Sequence, residues 1–327
     1  MPRLVHTGGV VVDVVLAVPA LPEPGADLLA QSSIVTAGGG FTVLAAARRQ
    51  GLAAVLAGRV GTGPFGSLVT AALDREGIRL LHPPVPDQDT GCCVVLVDAD
   101  AERTLVTASG AEAGLAAADL ARVEVHDDDW VHVSGYGLAP EARGAPLAAW
   151  VRGLRAGPRV VLDVSPLVAD LDRALLARVA ARVDVLTCNR READLMTGLS
   201  DPTAAAAALQ HRLPGDAVVV VRSGRAGAYL AEPGAQVRHV PAPQVVAVDS
   251  NGAGDTHTGV LVAALAAGLP PQRAVARANA AAALSVTRHG PATCPTSAEV
   301  EELMARHTGA SGGPPRSARP TDPTEDA

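Results

Sequence analysis

From residue 130 onward, short valine-rich runs alternate with helical stretches, and this alternation constrains the fold more than any other feature. The runs 131–133, 160–164, 183–186 and 217–221 read as strands, with helices expected near 140–155, 171–181 and 203–212 between them. Strands separated by helical crossovers pair in parallel and build a doubly wound sheet. The first part of the chain is less regular. Residues 4–18 read as a strand ending at Pro19, followed by a short strand around 28–36. Gly38-Gly39-Gly40 opens a helix over about 41–50; a strand near 53–58, a helix near 66–76 and a hairpin of 94–97 with 104–107 follow. The segments 10–36 and 89–108 stand outside the alternation and are expected to form a small second sheet, a lid over the carboxyl edge of the main one.

The last helices are expected at 254–267, 271–287 and 297–306. The first of them begins in Val248-Asp249-Ser250-Asn251-Gly252-Ala253-Gly254-Asp255-Thr256. A Gly-Ala-Gly run at a helix start leaves backbone N–H groups unshielded at the positive end of the helix dipole, which suits a phosphoryl group. Asp255, in the first turn, is placed to take a proton from an attacking hydroxyl. The plainer account is a favourable first-turn acid after a tight turn.

Composition removes several alternatives. All 27 basic residues are arginine. Without lysine the chain has neither a P-loop lysine nor a Schiff-base amine, so phosphate handling falls to backbone amides, arginine and metal. A formal charge of −7 and only six aromatic residues argue against nucleic-acid binding. No apolar stretch is long and uninterrupted enough for a membrane span. Cys92, Cys93, Cys188 and Cys294 lack CxxC spacing, which points to a reducing, cytoplasmic compartment. Residues 309–327 carry almost no large apolar group and are expected to be a disordered tail.

The residues from 4 to about 307 resemble the ribokinase-like (PfkB) carbohydrate kinases. Asp249 through Asp255 is similar to that family's C-terminal signature. The resemblance implies an anion hole from the amides of Gly252, Ala253 and Gly254, with Asp255 as catalytic base. Asn189-Arg190-Arg191-Glu192 looks like the Asn-x-x-Glu element that helps place magnesium, with Glu192 acting through water. Ser223-Gly224-Arg225-Ala226-Gly227 resembles the Gly-x-x-Gly loop along the nucleotide, and Asn279 lies in the helix flanking the adenine. Asp13 aligns with the acceptor-binding Asp, and Gly38, Gly39 and Thr42 fall on the substrate loop. Thr42 stands where the family usually has Asn, and Gly39 where ribokinases carry Lys, so the acceptor is not set by the likeness. The implied fold is a three-layer α/β/α sandwich with a small β-sheet lid, as one kinase domain over 1–308. The implied ligands are ATP and Mg2+, with a monovalent cation such as K+ near Asp249 and the 285–290 loop. A homodimer through the lid is implied as well.

Other readings stand beside this one. Gly61-Thr62-Gly63-Pro64-Phe65-Gly66 fits GxGxxG, but the acid expected about twenty residues on falls in a proline-rich stretch. Asn189 and Glu192 also have the spacing of a capping box. Arg59, Arg103 and Arg225 could reach phosphate, although lone arginines are usually solvated. The expected activity is ATP-dependent phosphorylation of a hydroxymethyl group on a small sugar or sugar-like acceptor. The alternatives are a nucleoside kinase, for which only Phe41 and Tyr136 offer stacking surfaces, and a non-catalytic sensor of sugar or nucleotide.

Overall fold

A computed structural model describes residues 1–100, 102–139 and 141–310. The expected tail lies almost wholly outside the described residues. Thirteen strands are formed among the described residues: β1 (Arg3–His6), β2 (Val10–Ala17), β3 (Ser32–Gly39), β4 (Ala53–Leu56), β5 (Arg79–Leu80), β6 (Cys92–Val97), β7 (Arg103–Ala108), β8 (Trp130–Ser134), β9 (Arg159–Asp163), β10 (Val185–Asn189), β11 (Val218–Arg222), β12 (Ala228–Ala231) and β13 (Arg238–Val240). The helices are α1 (Gly40–Arg49), α2 (Pro64–Arg75), α3 (Ala117–Leu120), α4 (Glu141–Arg152), α5 (Arg173–Ala180), α6 (Arg190–Thr197), α7 (Pro202–Gln210), α8 (Ala253–Ala266), α9 (Pro271–Ser285) and α10 (Ser297–Ala310).

The large sheet runs β13-β12-β11-β10-β9-β8-β1-β4-β5, parallel except for its antiparallel β12 and β13 end. Alternate residues of its strands enter two different cores. Leu4, Val161, Val185 and Val220 pack beneath α1, α8 and α9, while Val5, Val131, Leu162, Leu186, Val219 and Val221 pack against α4 to α7. Each such side chain, removed from water, contributes about 1.5–3 kcal/mol. The three-layer sandwich follows directly from this two-sided burial.

The chain runs outward from β1 to β4 and β5, then returns to β8 on the other side of β1 and proceeds to β11. The order reverses between β1 and β8, and in open α/β sheets ligands bind at the carboxyl ends beside such a reversal. A separate four-stranded sheet, β3-β2-β6-β7, rises from that edge.

The structure differs from the sequence reading in several places. The single strand expected over 4–18 is two strands in different sheets, because Gly8 and Gly9 let the chain turn between them. The second early strand is Ser32–Gly39 rather than 28–36. Strands β12 and β13 were not anticipated, and α6 only through the capping-box spacing of Asn189 and Glu192; all three are short and lack a long apolar period. Helix α2 begins within the GxGxxG run, but Asp89 already accepts hydrogen bonds from Phe65 N (3.1 Å) and Gly66 N (2.8 Å) at its start. The chain's own carboxylate thus fills the place a dinucleotide phosphate would need.

Candidate active site

The polar residues at the carboxyl edge arise by one device. On each central strand the positions facing α1 and α8 are apolar until the strand's end, where they turn polar: Leu4 then His6, Trp130 then His132, Val161 then Asp163, Val185 then Thr187, Val220 then Arg222. The period of two carries all five side chains to one face of the sheet.

Arg222 is the centre of this group. Its Nη1 and Nη2 donate to Asp163 Oδ2 (2.8 Å) and Oδ1 (3.1 Å), a bidentate pair. Nη1 also donates to Thr258 Oγ1 (2.8 Å) and Thr187 Oγ1 (3.1 Å), and Nη2 lies 3.8 Å from Glu192 Oε2. Burial pushes the Asp163 carboxyl up, but the Arg222 charge and its hydrogen bonds outweigh burial and hold it below the usual carboxylate range. Burial disfavours the Arg222 charge too, and Asp163 more than offsets this. His6 and His132 meet through their Nδ1 atoms at 2.8 Å, and burial keeps both neutral, helped at His6 by His132 and at His132 by Arg222 against the opposing pull of Asp163.

Helix α8 starts directly over Arg222, whose Nη1 reaches Gly254 O at 3.5 Å. Gly252 has φ +71, and a Cβ there would lie 2.1 Å from Pro291 O, so both conformation and space demand glycine. The amides of Gly254 and Asp255 belong to the first turn and have no carbonyl of the same helix to reach. The Asp255 carboxylate makes no hydrogen bond among the described residues. Its carboxyl is pushed up to about 7, by burial first and then by Asp163, with Asp13 and Glu192 adding and Arg222 opposing.

Asp13 sits across the cleft on β2, 7% exposed, and its carboxylate has no hydrogen-bond partner among the described residues. Burial raises its carboxyl to about 6. A Cβ on Gly38 would lie 2.1 Å from Asp13 Oδ2, so the carboxylate rests on the bare Cα of the glycine loop. Gly39, at φ +57, caps α1. Thr42 is elsewhere: it is fully buried, its hydroxyl donating to Pro291 O (3.4 Å), so it braces the base of the loop from the core. Phe41 is also buried, leaving Tyr136, 56% exposed, as the accessible aromatic ring of that pair. Its phenol is raised to about 12, by burial first and then by Asp255, Cys93, Glu192 and Asp163.

The remaining site residues fall into two groups. Asn189 and Glu192 form a reciprocal capping box: Glu192 N donates to Asn189 Oδ1 (2.8 Å), and Asn189 N to Glu192 Oε2 (2.7 Å). This cap aims Glu192 at the carboxyl edge, where burial raises its carboxyl and Arg222 pulls it back. Asp249 bridges two turns by accepting from Asn251 N (2.8 Å) and Gly290 N (2.9 Å). Ser223 N closes the Ser223–Gly227 turn on Gly227 O at 2.7 Å. Asn279 is committed internally: its amide donates to Val240 O (2.8 Å), and its Oδ1 meets His257 Nε2 (3.2 Å). Arg59 is held by Gly114 O and Asp119, while Arg225 is exposed in its turn.

Sequence reading missed Arg222, Asp163, Thr187 and Thr258. For Asp163, Thr187 and Arg222 the change from apolar to polar at a core-facing strand position was the available signal; Thr258, on α8, offered none.

Residues 1–298 match the description "pfkB family carbohydrate kinase". The uncharacterized sugar kinase YegV of Escherichia coli is 33% identical, over 92% of each chain. Arabidopsis thaliana ribokinase, solved with ribose and ATP, is similar with a TM-score of 0.76 and 25% identity, over 93% of this chain and 98% of that one. A putative Ribokinase II from E. coli, solved with ATP and Mg2+, shares the fold with a TM-score of 0.78 at 23% identity, over 94% and 100%. A doubly wound sheet with a β lid, an amide-lined helix start beside an acid, and a family match across nearly the whole chain converge: this protein belongs to the pfkB family of carbohydrate kinases and is an ATP-dependent sugar kinase.

Proposed function

We propose that the enzyme transfers the γ-phosphoryl group of ATP to a hydroxymethyl oxygen of a small sugar or sugar-like acceptor, with Asp255 as general base. The observation carrying this is Asp255 itself: a carboxyl raised to about 7, in the first turn of α8, beside amides that lack helical acceptors. Its proton affinity suits a base working near neutral pH. As the acceptor oxygen bonds to the γ-phosphorus, the bond from phosphorus to the bridging oxygen of ADP breaks, and the hydroxyl proton passes to the Asp255 carboxylate. The amides of Gly252, Ala253 and Gly254 bind the charge on the transferring group. Asp13, with the Gly38–Gly39 loop, holds acceptor hydroxyls, and Thr42 supports that loop from below.

The Ser223, Gly224 and Gly227 turn lies along the nucleotide, and Asn279 shapes the adenine side by fixing α9 to β13. Glu192 fits an Mg2+ ion held through water, because its Oε1 makes no hydrogen bond among the described residues while Oε2 is taken by the cap. Bound there, Mg2+ would neutralise the donor phosphate oxygens. Asp249, tied to the Gly290 loop, fits the rim of a monovalent-cation site. The outer face of the lid, with Val35 and Val106 exposed, suits a homodimer contact, and four free cysteines suit a reducing cytoplasm. Among the described residues no helix is long and apolar enough to cross a membrane.

The nucleoside-kinase reading keeps one accessible ring, Tyr136. ATP consumption across pentoses, hexoses, sugar phosphates and nucleosides tests the proposal. Acceptor-stimulated turnover, abolished in Asp255→Asn, is expected. ATP binding without stimulation by any acceptor would favour the sensor.

A further inference from the structure

The register of the lid puts Thr36, Asp13, Cys93 and Thr107 in one row across its four strands. Thr107 Oγ1 donates to Cys93 Sγ at 3.4 Å, so this row is a strip of small polar groups centred on the unpartnered Asp13 carboxylate. Two residues further out on the same face, the paired row is Ile34, Val15, Val95 and Leu105, wholly apolar. This face turns toward the site: Ile34 Cδ1 lies 3.8 Å from where a Cβ on Gly290 would be. Val15 and Val95 are themselves buried and pack with Ile34, so a ligand between lid and sheet meets the polar row, near Asp255, and not the hydrocarbon beyond it.

The charge of the cleft is one-sided. Asp13, Asp163, Glu192 and Asp255 face it from β2, β9, α6 and α8. The cation in contact with them, Arg222, is already gripped by Asp163, Thr187 and Thr258. Arg59 is tied to Gly114 O and Asp119, and Arg288 to Glu299 and Thr293 O. Arg103 shares the inner face but stands opposite Val97, four residues along β7 from Thr107 and so about 13 Å from the polar row. A phosphate or carboxylate on the acceptor beside Asp13 would face a buried carboxylate with no uncommitted cation beside it among the described residues.

We infer that the acceptor is an uncharged polyol or sugar, and that this lid selects against acceptors already carrying a phosphate or carboxylate. The inference rests on the kinase reading above, and it concerns the acceptor half of the cleft alone.

The full-length enzyme with ATP and Mg2+ should be assayed on matched pairs: D-fructose and fructose 1-phosphate, glucitol and gluconate, adenosine and AMP. The neutral member of whichever pair is turned over is expected to have at least about a hundredfold higher kcat/KM. Asp13→Asn should lower the neutral rate and narrow the ratio, and Arg103→Ala should leave the ratio unchanged. A phosphorylated or carboxylated member preferred by the wild type, or one whose use depends on Arg103, overturns the inference.

Absence of turnover with every pair counts against the kinase reading instead. The acceptor class is then read from ligand-induced shifts in melting temperature of the Asp255→Asn protein. Larger shifts with neutral members support the inference. Equal or larger shifts with anionic members, or none with either, overturn it.

Discussion

Arg222 holds Asp163 by two parallel hydrogen bonds beneath the first turn of α8, and Thr258 of that helix donates to the same carboxylate at 2.9 Å. The pair ties the ends of two sheet strands to the helix that bears Asp255. Paired and satisfied, it is a fixed anchor; halved, it leaves a buried charge.

Removing one partner should therefore cost more than removing both. Arg222→Met leaves Asp163 uncompensated and should destabilise the fold by about 3–5 kcal/mol. The double change with Asp163→Asn should recover part of that loss. Denaturant unfolding of the single and double variants checks this, and strict additivity would refute the coupling. Arg222→Lys keeps the charge without the fork, so it should fall between wild type and Arg222→Met.

With Asp255 in the proposed role of base, turnover should show an acidic limb near pH 7, where its carboxyl loses the proton. Arg222 lowers and Asp163 raises the Asp255 carboxyl. Losing the Asp163 charge should therefore move the limb to lower pH, and losing Arg222 should move it higher. A limb that stays in place in both variants would detach Asp255 from the rate.

Asp255→Asn should reduce turnover by roughly 10²–10⁴ while nucleotide binding survives. It should also stabilise the protein. The carboxyl rises from 3.8 to about 7 on folding, so the folded state holds the proton more tightly. Its favourable contribution is complete below pH 4 and is lost as pH climbs to 7. The melting temperature of the variant should exceed that of wild type by a margin that opens over that interval and is constant above it. Equal melting temperatures at pH 8 would count against a buried, raised Asp255.

Gly38→Ala and Gly252→Ala probe opposite ends of the cleft. Each added Cβ would lie 2.1 Å from an oxygen, that of Asp13 or of Pro291. Displacing Asp13 should raise the acceptor KM with nucleotide affinity unchanged. Displacing the start of α8, where φ is also positive, should depress kcat and destabilise by about 1–3 kcal/mol. Steady-state kinetics with nucleotide titration separates the two outcomes.

Breaking the α6 cap with Asn189→Ala should cost about 1 kcal/mol of stability. Because the same cap orients Glu192, it should also raise the Mg2+ concentration needed for half-maximal activity. A stability loss with an unchanged Mg2+ requirement would assign the pair to helix capping alone.

What the sequence determined by itself was everything set by local pattern. Valine-rich runs alternating with helical stretches led to the doubly wound sheet, and the Gly252–Asp255 run to a helix start with Asp255 in its first turn, because periodicity and glycine chemistry act over a few residues. Absence of lysine left phosphate handling to be expected of backbone amides, arginine and metal. The tertiary structure decided which arginine is central. Arg222 sits at the end of an ordinary-looking valine strand and acquires its partners from residues 59 positions upstream and 36 downstream. It also decided that Thr42 and Asn279 point into the interior, since a side chain's direction depends on which neighbour its helix packs against. The lid row of Thr36, Asp13, Cys93 and Thr107 belongs there too, for strand register between distant segments is written in no local stretch of the chain.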